Sequence, residues 1–135
     1  MTGVRAVLDT SAVLAYVLDE EGAAAVGEAI RRGAAMSTVN VAEFCAKLNE
    51  RQVSADDVGE AVDDLGVTIE AFLRVDAETS GGWRRSTRPL GLGLGDRACL
   101  ALAYRLGVPA LTADTVWATL NVGVTVRLIR EFPGE

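Results

Sequence analysis

LGDRACLALAYRLGVPALTAD, residues 94–114, reads as a helix stopped by Gly107, a sharp turn through Pro109, and a short strand running into a second acid. Asp96 starts the helix and Asp114 ends the strand. In a parallel α/β sheet, strand carboxyl ends and the amino ends of neighbouring helices share one edge, where such folds bind ligands. This one segment therefore sends two carboxylates toward a single rim.

Working outward, Val4–Leu8 is a short apolar run ending in Asp9, Thr10 and Ser11, a strand followed by helix-capping types. Ser11–Leu18 is apolar almost throughout and predicts a buried helix, and Ala23–Arg32 a more exposed one with arginines in its last turn. Ala34–Thr38 predicts a weak strand, with Thr38 as the cap of a helix over Val39–Glu50. That helix carries Val39, Ala42, Ala46 and Asn49 on one side and the Phe44/Leu48 pair on another. Asn40 and Glu43, three apart, share a face. A further helix opens at Ser54 and stops at Gly66, a strand spans Val67–Glu70, and Asp76–Thr87 is helical in part. Pro89–Gly95 reads as a glycine-rich mobile loop, Thr115–Leu120 as a short helix, and Val124–Ile129 as the last strand. This alternation predicts one α/β domain over residues 1–135, a parallel sheet wrapped by helices, with the strand order left open.

Composition narrows the chemistry. Half of the 135 residues are hydrophobic, enough for a core without staples. No apolar run reaches membrane-spanning length and no leader pattern opens the chain, so a soluble, cytoplasmic protein is expected. Cys45 and Cys99 fall in apolar helical patterns and read as buried thiols. The chain has no histidine, which excludes Ser-His-Asp and Cys-His catalysis and imidazole metal ligands together. Its net charge of −6 argues against general attraction to nucleic acid, although a bound cation and local arginines can reverse the field where it counts.

Asp9, Glu43, Asp96 and Asp114 all belong on the same sheet edge. A single acid at a helix start is ordinarily a cap, but four on one rim repel. Two carboxylates about 5 Å apart at an effective dielectric of about 20 oppose each other by roughly 3 kcal/mol. Such a cluster is tolerated when something cationic fills it, and an all-oxygen set selects Mg²⁺ or Mn²⁺. Thr10, Ser11 and Asn40 have two readings, orienting waters or ligands around these acids or, for Thr10 and Ser11, plain helix capping. Arg97 meets a substrate phosphate or pairs with a nearby acid. Arg84, Arg85 and Arg88 beside Trp83 grip RNA or form a solvated helix face. Trp117 reads as core.

Val7–Ser11, Ser37–Glu43, Leu94–Ala103 and Leu111–Trp117 together resemble the PIN-domain nucleases and, within them, the VapC toxins of type II toxin–antitoxin pairs. The resemblance implies a parallel five-stranded sheet, a magnesium-dependent endoribonuclease leaving a 5′-phosphate, a homodimer, and a cognate antitoxin whose tail crosses the acidic cleft. It carries the acidic set over as Asp9, Glu43, Asp96 and Asp114, and its Thr-x-Asp-x-x-Trp block as Thr112, Asp114 and Trp117. Val116 stands where some relatives have an extra acid, and Gly93 where others have serine. Cys99, Leu100, Leu102, Ala103 and Leu106 suit either a dimer seam or a core helix. Two other readings remain at this point. A phosphoryl-transfer enzyme with Asp9 as nucleophile lacks the second acid at position 11 that haloacid-dehalogenase-like phosphatases need. It also lacks the late lysine of receiver domains, since Lys47 is the only lysine. A non-catalytic binding module would most cheaply show itself by a lost acid, and none is lost.

Overall fold

The computed structural model describes residues 3–130. Strands β1 (Ala6–Leu8), β2 (Ala34–Ser37), β3 (Thr68–Glu70), β4 (Ala110–Thr112) and β5 (Val126–Leu128) form one parallel sheet in the order β3-β2-β1-β4-β5. Around it lie α1 (Thr10–Val17), α2 (Ala23–Arg32), α3 (Thr38–Glu50), α4 (Ala55–Asp64), α5 (Arg74–Gly82), α6 (Arg84–Thr87) and α7 (Leu94–Leu106). Two 3₁₀ turns, Arg88–Leu90 and Thr115–Thr119, complete the described elements. The α/β class and five-stranded parallel sheet are those expected from the sequence.

The three central strands β1, β2 and β4 are buried at every position because both their faces are covered, while the edge strands β3 and β5 carry exposed residues. Ala6 and Leu8, Ala34 and Met36, and Leu111 face a core built with α1, Val26 of α2 and the Phe44–Leu48 pair of α3. Val7, Ala35 and Ala110 alternate to the other face, against Cys99, Leu100 and Leu102 of α7 and the fully buried Trp117. The chain lays down β1, β2 and β3 in one direction and then returns to place β4 and β5 on the far side of β1. The crevice at that reversal lies between the carboxyl ends of β1 and β4, where Leu8 registers with Leu111 and the Asp9 amide donates to the Leu111 carbonyl at 2.9 Å.

Helix α7 is buried at every residue from Ala98 to Ala103, the pattern of a helix enclosed on all sides. Cys99, Leu100, Leu102 and Ala103 therefore find their apolar partners within one chain, which settles their role as core rather than dimer seam. Gly107 ends the helix at φ 68°, its amide reaching the Ala103 and Tyr104 carbonyls. Helix α5 is fastened to α7 by Asp76, which is buried, receives Arg105 Nε at 2.9 Å and Nη2 at 3.1 Å, and also accepts from the Leu73 amide. No helix among the described residues is long and apolar enough to cross a membrane.

Several local expectations need correction. Ser37, not Thr38, caps α3, accepting from the Val39 amide at 3.2 Å, while Thr38 Oγ1 accepts from the Phe72 amide. The buried stripe of α3 is Asn40–Phe44–Leu48, with Ala42, Ala46 and Asn49 exposed, because an amide that finds internal partners can take a core position. Gly81 and Gly82 remain helical and α5 gives way only at Trp83. The glycine-rich segment before Asp96 is half structured: Pro89 lies in a 3₁₀ turn, Leu92 is buried, and α7 begins at Leu94, leaving Asp96 as its third residue. Cys99 is buried as expected, Cys45 only partly so, and both are free thiols.

Candidate active site

Asp9 occupies the N-cap position of α1 yet makes no cap bond with its side chain. Its Oδ2 accepts instead from Ser11 Oγ at 2.7 Å and from Thr112 Oγ1 at 2.9 Å. Ser11 Oγ in turn accepts from the Ala113 amide, and Thr112 Oγ1 from the Asp114 amide. Two hydroxyls thus bolt the end of β1 to the end of β4 and hold one oxygen of Asp9 while doing so. Capping is not the work of Ser11.

Glu43 is held in a similar way from a different direction. Thr10 Oγ1 donates to its Oε1 at 2.6 Å, and Asn40 Nδ2 lies 3.1 Å from the same oxygen. Asn40 also donates to the Gly95 carbonyl at 3.0 Å and stays fully buried, with no partner for Oδ1. The Glu43 carboxylate rests directly on the Cα of Gly95, where a methyl group would overlap it. Glycine in the first turn of α7 costs about 1 kcal/mol against alanine. Here that cost brings α3 and α7 together at the carboxylate.

Asp96 accepts from the Gly93 amide through Oδ2 at 2.9 Å, the side-chain-to-backbone half of a capping box. Asp114 accepts from the Val116 amide through Oδ1 at 3.1 Å at the start of the last 3₁₀ turn. Each of the four acids is therefore restrained through one oxygen. The second oxygen of each, Asp9 Oδ1, Glu43 Oε2, Asp96 Oδ1 and Asp114 Oδ2, takes no hydrogen bond among the described residues. None of the four is ion-paired there either, for the described salt bridges all involve other acids.

Their mutual field is strong. Burial raises Asp9 to a pKa of about 6, with the charges of Asp96 and Glu43 adding to the rise against the Ser11 and Thr112 hydrogen bonds. Asp96 is also raised, first by burial and then by Glu43 and Asp114, despite the Gly93 amide and the nearby Arg97. Burial, reinforced by Asp9, Asp96 and Glu43, keeps the Cys99 thiol protonated at the base of the cluster. The charges of Asp96 and Glu43 thus reach Asp9, and those of Glu43 and Asp114 reach Asp96. Among the described residues no three His, Cys, Asp or Glu side chains are grouped closely enough to hold a metal ion together.

None of the arginines singled out from the sequence is ion-paired with the four acids among the described residues. Arg97 Nη1 donates to the Ser80 carbonyl at 3.0 Å, and its buried Nε has no partner among the described residues. Arg84, Arg85 and Arg88 are exposed, and Trp83 is half-buried, its ring edge-on to Tyr104 at 5.9 Å. Gly95 was not apparent as a site residue from the sequence. The signal was present, a glycine placed inside the first turn of a helix immediately before an acid.

A parallel sheet with its crevice at the β1/β4 reversal and four partly tethered carboxylates around it defines a class, and comparison agrees. The PIN domain family matches residues 6–122, and the chain belongs to that family. Within it the chain stands with the VapC proteins. Ribonuclease VapC42 of Mycobacterium tuberculosis is 36% identical over 114 residues, covering 78% of this chain and 87% of the relative. Among solved structures, DNA-bound VapBC from Salmonella typhimurium matches with a TM-score of 0.73 at 14% identity, over 94% of this chain and 99% of that one. A toxin–antitoxin complex from Klebsiella pneumoniae matches with a TM-score of 0.72 at 18% identity and the same coverage. These two share the fold.

Proposed function

We propose that this chain is a metal-dependent endoribonuclease and the toxin of a toxin–antitoxin pair, acting in the cytoplasm through Asp9, Glu43, Asp96 and Asp114. One observation carries the site: four carboxylates, each with one oxygen held by the protein and the other unbonded, with no cationic side chain paired to any of them among the described residues. Such an all-oxygen donor set fits a hard divalent ion, Mg²⁺ or Mn²⁺, and neither imidazole nor thiolate competes for a softer one. Support for RNA as substrate comes from the VapC42 relative, whose name describes a ribonuclease.

When bound, such an ion supplies an activated water at neutral pH and offsets charge building on a phosphodiester. The protein's own part is positional. Ser11 and Thr112 fix Asp9, Thr10 and Asn40 fix Glu43, and the Gly93 and Val116 amides fix Asp96 and Asp114. Restraining one oxygen of each acid limits the reorganisation needed when the free oxygens converge. Arg84, Arg85 and Arg88, which are exposed, would supply contacts to RNA phosphates, while Arg97 ties α7 to α5 through the Ser80 carbonyl.

The antitoxin reading is supported by neighbours described as toxin–antitoxin complexes, and an acidic crevice on a −6 chain suits a basic peptide segment. A homodimer is proposed on the family resemblance, built on surfaces other than the buried part of α7.

Purified protein incubated with end-labelled RNA is expected to cut single-stranded or looped regions with Mg²⁺ or Mn²⁺, leaving a 5′-phosphate, and to leave RNA intact in EDTA. Cutting at full rate in EDTA overturns the metal site. Thr10→Val, which removes the 2.6 Å bond to Glu43 at nearly constant volume, is expected to weaken Mg²⁺ dependence about 10–100-fold. A Mg²⁺ titration of cleavage rate checks this, and an unchanged midpoint means that Thr10 does not position Glu43.

A further inference from the structure

A second concave feature lies on the α2 face of the sheet, a cleft of about 440 Å³ between α2 and the β4–β5 end. Ile129, one of its lining residues, packs on the Gly22 backbone, where an added Cβ would come within 2.7 Å of the Ile129 carbonyl oxygen. Its lining includes Arg5 and Pro109, the residues that lead into β1 and β4, and Arg32 at the end of α2. Its volume falls in the range of small-molecule sites, about 300–1,000 Å³.

The charges around this cleft oppose those of the molecule as a whole. Arg5, Arg32 and Arg127 line it, with Glu28 as the acid of the lining. Glu28 is already occupied, taking Arg31 Nη2 at 2.9 Å and Arg32 Nε at 3.0 Å, and these arginines lower its pKa. The guanidinium groups of Arg5 and Arg127 have no hydrogen bond or ion pair among the described residues. Two guanidinium forks that have no partner among the described residues and line one cleft of a −6 chain are a place for an anion. A carboxylate satisfies one fork. A phosphomonoester, carrying about 1.5–2 negative charges at pH 7 and three acceptor oxygens, matches two. The remaining wall, including Ala29, Leu111 and Ile129, is apolar and suits the sugar or base of a nucleotide.

We propose that this cleft binds a phosphomonoester through Arg5 and Arg127, independently of any metal held by the four carboxylates. Free mononucleotides and RNA ends with a terminal phosphate share that chemistry. Calorimetric titration of the full chain in EDTA at low salt, with adenosine 5′-monophosphate and with adenosine alone, tests it. Saturable binding of the phosphate form is expected, weakened about tenfold or more by either Arg5→Gln or Arg127→Gln and unchanged by Asp114→Asn. Arg5 precedes the first strand, so Arg5→Gln keeps the test valid should the β5 variant fold poorly. A 5′-phosphorylated hexanucleotide that competes where its 5′-hydroxyl form does not marks RNA ends as ligand, whereas competition by neither marks free nucleotides. No saturation, equal binding of adenosine, or indifference to both arginine variants overturns the proposal. Because the titration contains no metal, its failure leaves the nuclease reading untouched, and loss of cleavage elsewhere leaves this one untouched.

Discussion

Asp96→Asn is expected to lower Mg²⁺-dependent RNA cleavage by about a thousandfold or more while leaving the fold in place. The variant isolates chemistry from structure because the two oxygens of Asp96 have different duties. Oδ2 accepts from the Gly93 amide at 2.9 Å, and the asparagine carbonyl oxygen can take over that bond. The opposite position then carries an NH₂ group, a donor that repels a cation where an anionic oxygen had been. Metal assistance is worth several kcal/mol to phosphodiester hydrolysis, and about 4 kcal/mol corresponds to a thousandfold. Cleavage of labelled RNA and thermal melting of the same preparation check the two halves separately. Equal cleavage by variant and wild type means a contaminating nuclease or a misplaced site. Loss of cleavage with a collapsed melting temperature would make Asp96 a cap before anything else.

How far the sequence disclosed this arrangement depended on what each residue had to do. The central strands were readable because burial on both faces demands apolar runs, and β1, β2 and β4 are buried at every position. The acids were readable because each sits just past a strand or in the opening turns of a helix, where chain order alone fixes the edge. The network between them was not. Ser11 and Thr112 are 101 residues apart and meet only because β1 and β4 are neighbours, a strand order the alternation of elements leaves open. Asn40 in a core position was hidden by its polarity, since its partners Thr10, Glu43 and the Gly95 carbonyl come from three separate elements. Gly95 looked like loop because glycine weakens helices, and its reason for being there is a carboxylate from α3. The apolar sides of α7 were ambiguous for the opposite reason: periodicity says how many faces are apolar, not whether a sheet, a helix or a second chain covers them.

The same charges that make the site are expected to make it a burden on the metal-free protein, and Asp9→Asn exposes this. Asp9 has a pKa of about 6 in the folded chain, above the roughly 3.9 of an unperturbed carboxyl. Between those values the folded state binds more protons than the unfolded state, so stability falls as pH rises through the window and the loss is complete above it. At pH 7.5 the ionised Asp9 then costs about 3 kcal/mol relative to acid conditions. Asparagine carries no such charge, and its carbonyl oxygen can still accept from Ser11 and Thr112. In EDTA at pH 7.5 the variant should melt higher than wild type, by on the order of 10 °C, with the gap closing toward pH 4. Mg²⁺ should reverse the order, because a ligand that binds only the folded state stabilises it by RT ln(1 + [L]/Kd), and the variant has lost a ligand. Melting curves at two pH values, with EDTA and with Mg²⁺, measure all four corners of this cycle. A variant that melts far below wild type in EDTA at pH 7.5 would mean that the Asp9 charge supports the fold, and the case for a cation between these carboxylates would lose its energetic ground.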